Sequence, residues 1–169
     1  MTVLTYEPTW HTYEVHGHSL EEVARHIEQL AEAGQTHWTP SYQVHEWDGQ
    51  VIKNVQVDVH LEISMPHWAE YDSAAPAERA EWDRFVEALH AHEQGHVDIV
   101  RTYTENADVM LEGLDEHAAA QRWQDNLHAM QQASDQYDLG NDHGRGAGTT
   151  ITLPEQEQDE AESEEAVAP

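Results

Sequence analysis

Cysteine is absent from this chain of 169 residues, and basic residues are scarce. Without thiols, neither a disulfide framework nor a thiolate metal site can form, so any transition metal must be bound by histidine, aspartate or glutamate. Seven lysines and arginines stand against 34 acidic residues, which gives a formal charge of −27. A surface this negative excludes nucleic acid and anionic membranes as electrostatic partners.

Long hydrophobic runs are also missing, so no transmembrane helix is predicted. The first residues, MTVLTYEPTW, lack the basic and apolar regions of a signal peptide. The chain as given is therefore expected to be cytoplasmic, the alternative being a secreted protein whose leader was removed. A single lysine, Lys53, among so many carboxylates is typical of proteins from a high-salt cytoplasm, and we expect a halophilic surface.

Hydrophobic periodicity predicts one α+β domain over residues 1–151 and a disordered acidic tail over 152–169. HTYEVH, residues 11–16, alternates as a short strand. The next segment, residues 20–33, has one apolar face and is predicted to be a helix that Ser19 caps. The domain therefore begins with a strand followed by an N-terminal helix.

A hairpin and two further helices complete the predicted domain. The dipeptide Asp48-Gly49 suits a tight turn, and the strand after it alternates through residues 51–64. Pro76 suits the first turn of a long helix, because apolar residues then recur at three-and-four spacing as far as Leu114. A last helix is predicted over residues 116–133, and the glycine-rich stretch 135–148 is expected to be a loop. The sheet should be small, with antiparallel or mixed pairing.

The long predicted helix contains an H-E-x-x-H motif at His92, Glu93 and His96. Residues four apart lie on one helical face, so the two imidazoles can converge on one Zn²⁺ ion. Glu93 lies one residue further round and is placed to take a proton from bound water. The motif continues the apolar stripe of Phe85 and Leu89, so these polar side chains should point into the core. A metal there would offset the cost of burying them.

A catalytic zinc needs a third protein ligand and one open position. Spacing alone leaves three candidates. Glu105 and Glu116 are of the kind that a following helix supplies, whereas His143 lies in the glycine-rich stretch. His90 is off the apolar stripe and is expected to be an exposed helix residue.

Several motifs occur in an order that resembles a known family. They are YEVHG at 13–17, the SLEEVARHIEQL helix, LEISMPHW, EWDRFVEALHAHEQGH and YDLGNDHGRGAG at 137–148. This order is similar to that of the predicted secreted zinc-dependent proteases grouped as domain of unknown function 922, over roughly residues 10 to 150. Asn141 stands where the family's closing motif has threonine, and the family's cysteines and leader are missing here.

The resemblance implies a zincin-like metallopeptidase with a long active-site helix, a C-terminal helix and a peptide or protein substrate. It favours His143 as the third zinc ligand beside His92 and His96. It implies that Glu93 is the general base. Tyr137 is a candidate for stabilising the oxyanion together with zinc, the alternative being a packed loop aromatic. The exposed edge of the hairpin could pair with an extended substrate.

Two non-enzymatic alternatives remain open at this point. The first is a zinc-stabilised protein-binding module, in which His90 or Asp98 would close the fourth position on the ion. The second is a metal-free acidic interaction domain. Neither the substrate nor the oligomeric state follows from the sequence.

Overall fold

A computed structural model describes residues 6–141, 146 and 148–154. His143 and most of the predicted acidic tail lie outside the described residues, so the domain boundary at residue 151 stays a prediction. Within the described part of the chain, no helix is long and apolar enough to cross a membrane.

The fold is α+β, as predicted, with a three-stranded mixed sheet and three main helices. A 3-10 turn at Tyr71–Ser73 precedes the long helix. The strands are β1 (Thr9–Val15), β2 (Gln35–Asp48) and β3 (Val51–Trp68), and the helices are α1 (Leu20–Glu28), α2 (Pro76–Thr104), the short α3 (Ala107–Leu111) and α4 (Glu116–Gly140).

The sheet has the order β1-β3-β2, so the long strand β3 is central and β2 lies at an edge. β2 and β3 form the predicted antiparallel hairpin, which turns at Gly49 with a φ of 63°. β1 pairs in parallel with the last residues of β3, from Thr9 opposite Glu62 to Val15 opposite Trp68. Because β1 supplies these partners, β3 continues through Met65-Pro66, where the sequence had suggested that the strand ends.

α2 begins at Pro76, as predicted, but it ends at Thr104 rather than continuing to Leu114. The Thr104 hydroxyl donates to the Val100 carbonyl at 2.7 Å and also contacts the Tyr6 hydroxyl at 2.9 Å. The chain then turns into α3, whose Leu111 is buried. Apolar spacing persists across this break, so periodicity alone could not locate it.

α4 is capped by Asp115, whose side chain accepts from the Ala118 amide, and the helix runs to Gly140. The expectation that it ends at Ala133 and that a loop follows was wrong. No proline or glycine occurs between Ala133 and Gly140, so nothing local stops the helix. The added turns carry the sequence SDQYDLG onto the face of α2.

Two hydrophobic clusters form the core. The first lies between the β1 end of the sheet, α1 and α2, and we call it the proximal cluster. The second lies between the tip of the hairpin, α3 and the start of α4, and we call it the distal cluster. Buried residues of the proximal cluster include Val15, Leu20, Val23, Leu61, Ile63, Trp68, Trp82, Phe85, Leu89, Val97, Val100 and Met130. Those of the distal cluster are Ile52, Val55, Val57, Ala107, Leu111, Ala119 and Trp123.

Candidate metal centre

The H-E-x-x-H motif lies in the middle of α2 and faces the core, as expected from the apolar stripe. His92, Glu93 and His96 are 6%, 3% and 6% exposed. Leu89 and Phe85, one and two turns earlier, anchor this face of α2 in the proximal cluster. Local helix geometry therefore brings the two imidazoles together at a buried position.

The C-terminal turns of α4 supply a carboxylate to the same point. Asp138 Oδ1 lies 3.2 Å from His92 Nε2 and 3.0 Å from His96 Nε2. One possible ligand atom from each of the three residues lies within 4.8 Å of the others. Two imidazole nitrogens and one carboxylate oxygen are a donor set that suits zinc, with a fourth position left for solvent. The residues present therefore fit a zinc ion.

Ser134 and Tyr137 flank Asp138 on the same face of α4, because positions three and four apart lie together on a helix. The buried Ser134 hydroxyl lies 2.9 Å from His96 Nδ1. Burial lowers the pKa of His96 below its usual value, although the Asp138 carboxylate opposes the shift. One face of α4 thus contacts both histidines of the α2 motif.

Tyr137 fixes the ring of His92. The two rings stack with centroids 5.0 Å apart and an angle of 17°. The Tyr137 hydroxyl donates to the His92 carbonyl at 3.3 Å. Gly95 makes this approach possible, because a Cβ at that position would collide with the Tyr137 hydroxyl. The hydroxyl therefore faces the α2 backbone, and the role in oxyanion stabilisation stays a prediction.

Glu93 is held by the start of β2. Its Oε2 accepts a hydrogen bond of 2.6 Å from the Thr36 hydroxyl. Burial raises the pKa of Glu93 to about 7, although the Thr36 hydrogen bond lowers it, and the nearby charges of Glu32 and Asp138 raise it further. This side chain is thus a largely desolvated carboxyl group beside the histidine pair.

The turn before β2 closes around the same carboxylate. A Cβ on Gly34 would lie 2.6 Å from Glu93 Oε1, so a larger residue at this position would displace the carboxylate. The Tyr13 hydroxyl of β1 donates to the Ala33 carbonyl and fixes this turn. Burial, with a contribution from the charge of Glu93, raises the pKa of Tyr13 to about 12, so the hydroxyl keeps its proton.

The histidines and Glu93 line a cleft of about 440 Å³. Its other walls come from the end of α1, the first residues of β2, the C-terminal turns of α4 and the segment Thr149–Ile151. Arg84 fixes that segment by donating to the carbonyls of Gly148 and Thr150, both at 2.7 Å. A cleft of this size, with convergent polar groups at one wall, is typical of a small-molecule or peptide site.

The sequence of residues 10–144 matches a family described as Bacterial protein of unknown function (DUF922). The match covers most of the chain, including the whole motif of α2 and the C-terminal turns of α4. The chain belongs to the DUF922 family. Neither a curated protein nor a solved structure matches it. The family resemblance drawn from the motifs is confirmed, while the family description states no activity.

The structure separates the candidates for the third ligand of this DUF922 chain. Glu105 caps the C-terminal end of α2 and is exposed. Glu116 begins α4, and 22 residues of helix place it about 33 Å along the axis from Asp138. Neither candidate belongs to the group of possible metal ligands among the described residues, which is His92, His96 and Asp138. His143 lies outside the described residues, and its role as a ligand stays a prediction.

The two residues considered for closing the fourth position also lie elsewhere. His90 is exposed, as expected, and its ring stacks on Trp10 with centroids 4.8 Å apart. Asp98 is exposed and pairs with Arg101 at 3.3 Å. Among the described residues, the ligand group therefore consists of His92, His96 and Asp138.

Sequence reasoning missed Asp138, Ser134 and Thr36. Ser134 and Asp138 belong to the pattern S-x-x-Y-D. On a helix, the serine, the tyrosine and the aspartate of this pattern share one face. That pattern could have been found if the stretch after Ala133 had been interpreted as helix. Thr36 carried no comparable pattern, because its contact with Glu93 joins residues 57 positions apart.

Proposed function

We propose that this DUF922 chain is a zinc-dependent metallopeptidase of the HExxH type with a zincin-like site. The proposal rests on one observation. Nε2 atoms of His92 and His96 and a carboxylate oxygen of Asp138 converge at one wall of a cleft, beside the buried carboxylate of Glu93. Two histidines and a carboxylate leave one zinc position open for water, which is the arrangement of catalytic rather than structural zinc.

Asp138 is the proposed third ligand, and His143 is the alternative that the family's closing motif favours. The distances of 3.2 and 3.0 Å from the two imidazoles support Asp138. Metal analysis of Asp138→Ala and His143→Ala separates the two. Loss of bound zinc in only one variant identifies the ligand, and Asp135→Ala, on the same helix, is the matched control.

Glu93 is the proposed general base. A zinc ion held by His92, His96 and Asp138 would supply a Lewis acid that lowers the pKa of water at the site towards neutrality. Glu93 would take a proton from the attacking water and return it to the leaving amine of the cleaved peptide. Thr36 orients the carboxylate through its hydrogen bond of 2.6 Å. Tyr137 keeps the His92 ring in place by stacking. Its second proposed role is to help stabilise the oxyanion that forms during peptide cleavage.

The proposed substrate is an extended peptide with basic side chains. β2 is an edge strand, and its residues from Gln35 to Trp38 line the cleft, so a substrate strand can pair there. Glu28, Glu32 and Asp135 also line the cleft, and no lysine or arginine occurs among its described lining residues. Negative charge around the entrance favours association with cationic segments.

The central experiment replaces Glu93 by glutamine. The Glu93→Gln variant should bind zinc as the wild type does and lose essentially all cleavage of a mixed peptide library that includes lysine and arginine peptides. The matched control is Glu87→Gln, an exposed glutamate on the same helix, which should retain full activity. Cleavage retained by Glu93→Gln would overturn the mechanism. Zinc that stabilises the fold while the wild type cleaves nothing would instead favour the protein-binding module.

A further inference from the structure

The ring of His96 has a polar partner at each nitrogen. Nε2 lies 3.0 Å from Asp138 Oδ1, and Nδ1 lies 2.9 Å from the Ser134 hydroxyl. Both His96 and Ser134 are buried, so water does not readily replace the Ser134 hydroxyl at Nδ1. The orientation of this ring, and the nitrogen that carries its hydrogen, are therefore set by these two side chains.

A neutral imidazole has one N–H and one acceptor nitrogen. An ionised carboxylate only accepts, so without a metal the hydrogen belongs on Nε2, facing Asp138. Nδ1 is then an acceptor, and Ser134 must donate to it. A metal on Nε2 requires the opposite tautomer, with the hydrogen on Nδ1, and Ser134 must then accept. A carboxylate or carbonyl at Nδ1 can only accept, so it would suit only the tautomer with the hydrogen on Nδ1. A hydroxyl can donate or accept, so it suits both tautomers.

We propose that Ser134 is a positioning residue whose hydroxyl bonds His96 Nδ1 in both states, donating without metal and accepting with metal. The inference rests on the metal-binding half of the proposed function and is independent of peptidase activity. In the exchange the ring loses a proton from Nε2 to water and gains one at Nδ1 from water. The ring remains neutral, and Ser134 only rotates its O–H bond.

His92 provides an internal contrast. Its Nδ1 is buried and has no hydrogen-bond partner among the described residues. Its ring is held by stacking on Tyr137, which does not select a tautomer. Hydrogen bonds orient the ring of His96, whereas stacking orients the ring of His92. Only His96 has a partner that can follow the change in tautomer.

The direct test is nitrogen NMR of the full chain, with labelled histidine, before and after addition of zinc. The His96 signals are assigned by comparison with the variant His96→Gln. We expect hydrogen on Nε2 in the metal-free protein and on Nδ1 in the zinc-loaded protein. The same tautomer in both states would overturn the inference.

The second test compares two buried hydroxyls. Ser134→Ala leaves Nδ1 without a partner and should weaken zinc binding by on the order of 10- to 100-fold in a chelator competition. Thr104→Val removes a buried hydroxyl whose partners, Tyr6 and Val100, lie outside the ligand group, and it should bind zinc as the wild type does. Ser134→Thr keeps the hydroxyl and should recover most of the affinity. Wild-type affinity in Ser134→Ala would contradict the proposed role.

The outcomes also separate this inference from the proposed function. If the wild type binds no zinc, the metal site and this inference both fail. If zinc binds and the tautomer changes while no peptide is cleaved, the role of Ser134 stands and the peptidase assignment falls. If peptides are cleaved and the tautomer does not change, only the inference about Ser134 is lost.

Discussion

The proximal and distal clusters of this small protein differ in what lies beside their apolar residues. The distal cluster is closed by backbone hydrogen bonds, from Ile52 N to the Leu114 carbonyl and from Gly113 N to the Ile52 carbonyl, both at 2.8 Å. The proximal cluster adjoins five buried polar side chains, which are His92, Glu93, His96 and Ser134 at the candidate metal centre and Thr104 at the end of α2. Buried polar groups cost stability unless they are paired, so the proximal end carries a cost that the distal end does not.

The largest expected change in stability comes from a substitution in the distal cluster. Trp123→Ala removes a buried indole that packs edge-on against Tyr42, at a centroid distance of 5.2 Å. We expect a loss of about 3–5 kcal/mol in the free energy of unfolding, because the cavity cannot close fully. Denaturant unfolding of the metal-free protein measures it. Trp47→Ala, at an indole that is 43% exposed on the hairpin, is the control and should cost far less. Equal losses in the two variants would show that the distal cluster is not a core.

A metal should stabilise the proximal end selectively. Zinc at a free concentration 100 times its dissociation constant should add about 2.7 kcal/mol to the free energy of unfolding, because only the folded chain gathers the three ligands. The melting temperature of the wild type should rise with zinc and fall again with a chelator. Asp138→Ala should lose the zinc-dependent rise, while Trp123→Ala, if folded, should keep it. A zinc-dependent rise that survives in Asp138→Ala would remove that residue from the ligand set.

Gly95 offers a smaller change at the same end. In Gly95→Ala the new Cβ would collide with the Tyr137 hydroxyl, so the stacked pair of Tyr137 and His92 must shift. We expect a loss of about 1–3 kcal/mol in stability and weaker zinc binding. Gly113→Ala is not a suitable control, because its φ of 80° adds backbone strain. Gly140→Ala is suitable, since a Cβ there meets nothing within 4 Å. Unchanged zinc affinity in Gly95→Ala would mean that the stacking does not position His92.

The smallest expected difference between the two ends concerns the effect of salt on stability. With a charge of −27, the folded chain repels itself, and added salt screens this repulsion over the whole surface. The melting temperature should therefore rise with sodium chloride in the wild type and, by a similar amount, in Gly140→Ala. Calorimetry over a range of salt concentrations measures the effect. A melting temperature independent of salt would contradict the predicted halophilic surface.

Much of the fold could be predicted because its patterns are local. The alternation in β3, the turn at Asp48-Gly49 and the start of α2 at Pro76 each depend on neighbouring residues. The predicted ends of β3 and α2 were wrong, because contacts between residues distant in sequence determine where these elements end. Pairing with β1 extends β3 to Trp68, and the end of α2 at Thr104 coincides with a contact to Tyr6, which lies 98 positions earlier. Neither partner is apparent from periodicity.

By itself, the sequence determined that His92 and His96 share one buried face of a helix with Glu93 beside them, because positions four apart coincide after one helical turn. Only the tertiary structure decided which groups complete the site. The last turns of α4 pack against α2 and bring Asp138 and Ser134 to the two histidines, while the start of β2 brings Thr36 to Glu93. These partners are separated by dozens of residues, and their meeting depends on how helices and sheet pack, which spacing along the chain does not encode.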